Sequence, residues 1–86
     1  MAYFVYMLKC VSCERKRTYV GYTNNIKSRI NLHNHGKGAK FTKGKRWNIA
    51  YFKKYSSKIR AMKEEYILKK NTKKRNMIKK EYFNKL

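Results

Sequence analysis

The chain has 86 residues and carries 24 lysines and arginines against four acids, a formal charge of +20 at neutral pH. So short a chain reads as one domain, residues 1–86, with a single core that most of its large aromatics must help to build. The charge far exceeds what solubility needs and points to a polyanionic partner, nucleic acid by default. A membrane role is not expected. No stretch approaches the roughly 20 apolar residues of a span, and the apolar N-terminal run lacks the length and basic lead of a secretory signal.

Tyr3 to Leu8 is a nearly continuous apolar run, as expected of a strand covered on both faces at the centre of a small sheet. Val11 to Arg17 shows no apolar periodicity and reads as a solvent loop. Thr18 to Tyr22 then has the β-branched and aromatic content of a second strand. Antiparallel pairing of the two would bring Tyr6 near Tyr19. Cys10 and Cys13 are too few for a disulfide scaffold. They agree with a reducing, intracellular setting, in the cytoplasm or with DNA in a nucleoid or nucleus.

Thr23-Asn24-Asn25 suits a helix N-cap, and on the helix that follows Ile26, Arg29, Ile30 and His33 share one face, with Leu32 on its flank. Either polar residue alone would suit a snorkelling arginine or a hydrogen-bonded core histidine. Both together, just after a strand, favour a cleft. Asn34 to Arg46 is rich in glycine and cations and reads as a long mobile loop. Lys37, Lys40, Lys43, Lys45 and Arg46, with Phe41 among them, suit phosphate-backbone contact. It lacks the spacing and the closing Gly-Lys-Ser/Thr of a Walker loop.

Trp47 to Lys54 reads as a third strand, and Ser56-Ser57 as the cap of a second helix reaching about Lys70. Ile59, Ala61, Met62, Tyr66 and Leu68 define its apolar arc, which contains Glu65 and leaves Glu64 outside. Asn71-Thr72 can start a third helix through Lys85 that returns Met77, Ile78, Tyr82 and Leu86 to the core. The fold class is therefore α/β (α+β), a small three-stranded antiparallel sheet flanked by about three helices. A zinc site from Cys10-x-x-Cys13 and His33-x-His35 is disfavoured, because histidines two apart on a helix diverge.

Tyr19-Val20-Gly21 followed by Thr23, Asn25, Arg29 and His33 resembles the second half of the GIY-YIG nuclease signature, and Phe4-Val5-Tyr6 resembles the first. The likeness extends through Gly36 to Thr42 and Ala61 to Glu65, roughly residues 3 to 70, and is nearest the small single-domain and structure-specific repair members. Phe4 stands where the name motif has Gly, and residues 7–18 make the spacer between the two tyrosines slightly long.

The resemblance implies a divalent-metal-dependent DNA endonuclease, structure-directed and acting in repair, recombination or processing. Glu65 would hold Mg²⁺ (or Mn²⁺), which needs only one or two carboxylates beside waters and phosphate oxygens. Arg29 would stabilise the transition state through a bidentate fork on the phosphate. Tyr6 is the candidate base, given cations to favour its anion. Tyr19 would position it or the water, and His33 would contact phosphate or relay a proton. Asn71 and Asn76 both qualify as a further site asparagine. The alternative is a non-catalytic basic nucleic-acid-binding module. The sequence leaves open the choice between DNA and RNA, any partner protein, and the oligomeric state.

Overall fold

The structure, a computed structural model, describes residues 2–14 and 17–84, with side chains as far as Glu81. Its elements are β1 (Tyr3–Cys10), β2 (Thr18–Thr23), α1 (Ile26–Asn34), β3 (Trp47–Tyr55), α2 (Lys58–Lys70) and α3 (Thr72–Asn84). The sheet order is β2-β1-β3 with both pairings antiparallel, so the most apolar strand is the central one. Among the described residues no helix is long and apolar enough to cross a membrane.

Alternation along β1 divides the core into two layers. Val5 and Met7 pack with Val20 of β2 and with Ala61, Leu68 and Ile78 of α2 and α3. Tyr6, Leu8 and Cys10 pack on the other face with Trp47, Tyr19, Ile30 and Ile49, beneath α1. A register shift opposite Met7 and Leu8 lets both Phe52 and Ile49 pair with residues of this second face.

The helix starts lie at the residues expected from sequence. Asn25 Oδ1 accepts from the Ser28 N–H at 3.1 Å, Ser57 Oγ accepts from Arg60 N–H at 3.3 Å, and Asn71 Oδ1 accepts from Lys74 N–H at 3.0 Å. Each satisfies a donor that a first helical turn leaves orphaned.

Three expectations need correction. Cys10 and Cys13 are joined as a disulfide, because the end of β1 turns back into the hairpin link and brings their Cα atoms to 5.7 Å. The apolar arc of α2 is narrower than the sequence suggests: Ala61 and Leu68 are buried, whereas Ile59, Met62 and Tyr66 are exposed, since a three-stranded sheet covers only a strip of the helix. On α3 Ile78 is buried and Met77 exposed; the Tyr82 side chain and Leu86 lie outside the described residues.

The loop between α1 and β3 is also more organised than a mobile basic loop. Gly36 and Gly44 both adopt φ +76°, the left-handed region that glycine enters freely. Between them Thr42 is fully buried, and the Trp47 indole N–H donates to its carbonyl at 3.1 Å.

Candidate active site

A cleft of about 480 Å³ opens beside β2 and is lined by residues of β1, β2, α1, the following loop and α2. Tyr6, Tyr19, Arg29, His33 and Glu65, singled out from sequence, all line it. Thr23, Asn24, Lys58 and Lys69 line it too; Thr23 stood in the signature quoted from the sequence, but none of the four was singled out there for the site. Lys58 and Lys69 were legible in principle, since they flank Glu65 on the same side of α2 at helical spacing.

Tyr6 reaches the cleft because β1 places it opposite Gly21. A Cβ on Gly21 would lie 2.5 Å from the Tyr6 hydroxyl oxygen and 2.7 Å from Cζ, so the phenol occupies space that any other residue would fill. The hydroxyl hydrogen-bonds His33 Nε2 at 3.0 Å, and Tyr19 packs on the same imidazole with ring centroids 4.9 Å apart. Tyr19 also stacks on Phe41 of the loop. His33 is 1 % exposed, and its Nδ1 lies 2.8 Å from Thr42 Oγ1.

Burial shapes the titration of both groups. It pushes the Tyr6 phenol well above its ordinary range, reinforced by Tyr19 and Glu65 and only partly opposed by Arg29. This corrects the expectation that nearby cations would favour the Tyr6 anion. Burial, with Arg29 adding to it, lowers the His33 pKa, which favours the neutral imidazole.

Arg29 makes no ion pair among the described residues and faces the cleft from α1. The carboxylate of Glu65, on a side chain 15 % exposed, pairs with Lys69 Nζ at 2.6 Å; Glu64 lies off the cleft and reaches Arg60 at 3.8 Å. Among the described residues no three His, Cys, Asp or Glu side chains converge as a ready-made metal cage. One carboxylate at the wall of a polar cleft nevertheless fits a hydrated divalent ion, which takes its remaining ligands from water and phosphate.

Several expected participants lie elsewhere. Asn71 caps α3 and Asn76 is exposed, so neither lines the cleft. The proposed zinc ligands do not assemble: the cysteines are bridged, His33 is sealed between Tyr6 and Thr42, and exposed His35 bonds Asn31 O. Of the basic loop, Lys37, Lys40, Lys43 and Arg46 are exposed, while Lys45 folds back onto Phe41, donating to its carbonyl at 3.0 Å with its ammonium 5.4 Å from the ring centroid.

A strongly basic α+β domain with Tyr6, Tyr19, Arg29, His33 and one carboxylate, Glu65, around a cleft is built like a phosphodiester-cleaving domain. Residues 2–80 match the GIY-YIG catalytic domain, and the chain belongs to that family. A UPF0213 protein of Oceanobacillus iheyensis is 43 % identical over 68 residues, 78 % of this chain and 76 % of its own length. The UPF0213 protein YazA of Bacillus subtilis is 40 % identical over 74 residues, 85 % of this chain and 72 % of its own. The solution structure of a UPF0213 protein from Bacillus halodurans has the same fold, with a TM-score of 0.53 and 34 % identity over 92 % of this chain and 84 % of that one. Membership in the family implies a nuclease in the general sense, with DNA as its substrate and a divalent metal as its usual cofactor.

Proposed function

We propose that the protein is a divalent-metal-dependent DNA endonuclease that recognises the shape of its substrate and acts in DNA repair, recombination or processing. The observation that carries this reading is the convergence of Tyr6, Arg29, His33 and Glu65 on one cleft from three separate elements, β1, α1 and α2. Shape rather than sequence recognition is supported by the cations around it, since the contacts they make to phosphates fix position and carry no sequence information.

Glu65 would hold a magnesium or manganese ion, which when bound neutralises charge on the scissile phosphate and the leaving oxygen. Arg29 holds the phosphate with its planar fork and opposes the charge that grows in the transition state. Tyr6 takes a proton from the attacking water. Because its phenol is held protonated, it must give up its own proton in the same step, and His33 Nε2 at 3.0 Å stands where that proton can go. Tyr19 braces the imidazole.

One observation favours the non-catalytic alternative: Lys69 already neutralises Glu65. Labelled single-stranded, duplex, flap and junction DNA, incubated with and without Mg²⁺ or Mn²⁺, separates the two readings. Metal-dependent nicking of at least one branched substrate is expected. Binding without nicking of any substrate would assign the chain to the binding modules.

A further inference from the structure

We infer that Thr42 is a positioning residue of this site, whose hydroxyl holds His33 in the tautomer protonated at Nδ1 and so leaves Nε2 open to the proton of Tyr6. Its catalytic importance rests on the nuclease reading above; the tautomer does not.

Thr42 stands in a glycine- and lysine-rich segment, where a threonine would ordinarily face solvent. Instead it is 0 % exposed. Its carbonyl is fixed by the Trp47 indole N–H at 3.1 Å, from a side chain itself 1 % exposed. The same loop closes directly over the imidazole: a Cβ on Gly38 would overlap the His33 ring, with Nδ1 the nearest atom. Thr42 therefore meets His33 through a rigid frame.

The hydroxyl has one proton and three polar neighbours. Oγ1 accepts from the Ala39 N–H at 3.2 Å, donates to the Ala39 carbonyl at 3.0 Å, and lies 2.8 Å from His33 Nδ1. With its proton on the carbonyl, Oγ1 can only accept from the ring, so Nδ1 carries the hydrogen and Nε2 is bare. The opposite arrangement turns the hydroxyl proton towards Nδ1 and makes Nε2–H donate to Tyr6. That arrangement breaks the 3.0 Å bond from the hydroxyl to the Ala39 carbonyl, and it turns the phenol proton away from its His33 partner towards the cleft.

The choice of tautomer decides what His33 can do. With Nε2 bare, the proton of Tyr6 can pass to it as Tyr6 takes one from the attacking water; the water oxygen bonds phosphorus while the bond to the leaving oxygen breaks, and the imidazolium holds the proton that the leaving oxygen finally gains through solvent. With Nε2 protonated, His33 could only donate to Tyr6, and the phenol would have nowhere to send its proton.

The test uses the full, untagged chain. A nitrogen-15 NMR spectrum of the imidazoles at pH 8, assigned by comparison with His35→Gln, should show a protonated Nδ1 and a bare Nε2 for His33. Thr42→Val keeps the volume and removes the hydroxyl. It should erode the tautomer preference and slow single-turnover cleavage by about 10- to 100-fold, with DNA affinity unchanged, while Thr42→Ser should restore both. A wild-type His33 protonated at Nε2, or a folded Thr42→Val that cleaves like wild type, would overturn the proposal. If Thr42→Val fails to fold, the wild-type and Thr42→Ser spectra still decide it. If the wild type cleaves nothing, the nuclease reading fails while the tautomer is still read directly.

Discussion

Gly21→Ala is the most economical perturbation of the active centre, because it adds one methyl group and removes nothing. The new Cβ would stand 2.5 Å from the Tyr6 hydroxyl oxygen and 2.7 Å from Cζ, against an ordinary contact of at least 3.4 Å. The phenol must therefore retreat by about 0.9 Å, the difference between 3.4 and 2.5 Å. Its hydrogen bond to His33 is 3.0 Å long and cannot follow such a shift without distortion. Overpacking of this kind destabilises by about 1–3 kcal/mol, and each kcal/mol lowers Tm by roughly 4–8 °C in a domain of this size. A misplacement near 1 Å at a reacting group slows chemistry by about 100-fold. The assay is single-turnover cleavage beside metal-free DNA binding, which should be unchanged because no cation is altered. Gly44→Ala is the control: nothing lies within 4 Å of its Cβ, so it should show only the backbone strain of φ +76°. A folded Gly21→Ala cleaving at the wild-type rate would remove the Tyr6 hydroxyl from the reaction.

On α2, Glu65→Gln should abolish metal-dependent hydrolysis while sparing DNA affinity, and Glu64→Gln should be nearly silent; equal nicking by Glu65→Gln and wild type would refute the metal assignment. Arg29→Lys should slow cleavage because charge is kept and the bidentate fork lost. DNA affinity should fall steeply with salt, with a log-log slope of roughly −0.9 per phosphate contacted on duplex, and a flat titration would exclude a phosphate-driven interface. Because the folded His33 pKa is depressed, the unfolded chain takes up this proton first as pH falls. Stability measured by urea midpoints should be full above pH 6.5 and decline below it by up to about 1.4 kcal/mol per pH unit for this group; a midpoint rising on acidification through that range would contradict the burial of a neutral imidazole. Reduction of Cys10–Cys13, a bridge with a sequence separation of 3, should lower stability by at most about 2 kcal/mol on the chain-entropy view and leave DNA binding intact.

The secondary structure was legible because its signals are local. The continuous apolar run of β1 and the caps at Asn25, Ser57 and Asn71 all lie within a few residues of what they specify. Glu65 was legible for a related reason: although the apolar arc of α2 was drawn too wide, Ala61, Glu65 and Leu68 recur at i, i+4 and i+7, so narrowing the arc still leaves Glu65 at the sheet-facing side. Thr42 was not legible. Its burial comes from Trp47, His33 and Ala39 closing around it, and nothing in the composition of a glycine- and lysine-rich segment reveals that closure. The bridge between the cysteines was hidden likewise, because it depends on how the strand end turns.

The protonation of Tyr6 shows where a reading by charge alone goes astray. In a chain of +20 it is natural to expect cations to draw the phenol towards its anion. Most of those cations are exposed lysines, whose fields fade over a screening length of about 8 Å at physiological salt. Desolvation acts on the buried hydroxyl itself, and Arg29, the cation nearest in effect, only partly opposes it. Burial therefore prevails, and the phenol stays protonated until another group relieves it of its proton. A lone tyrosine in that state would be a poor base. Joined at 3.0 Å to an imidazole held neutral by the same burial, it would, on the mechanism proposed above, form half of a pair that takes a proton from water at one end and stores one at the other. The apolar packing that sequence periodicity reports as core is thus also what holds Tyr6 and His33 together, as the proposed mechanism requires.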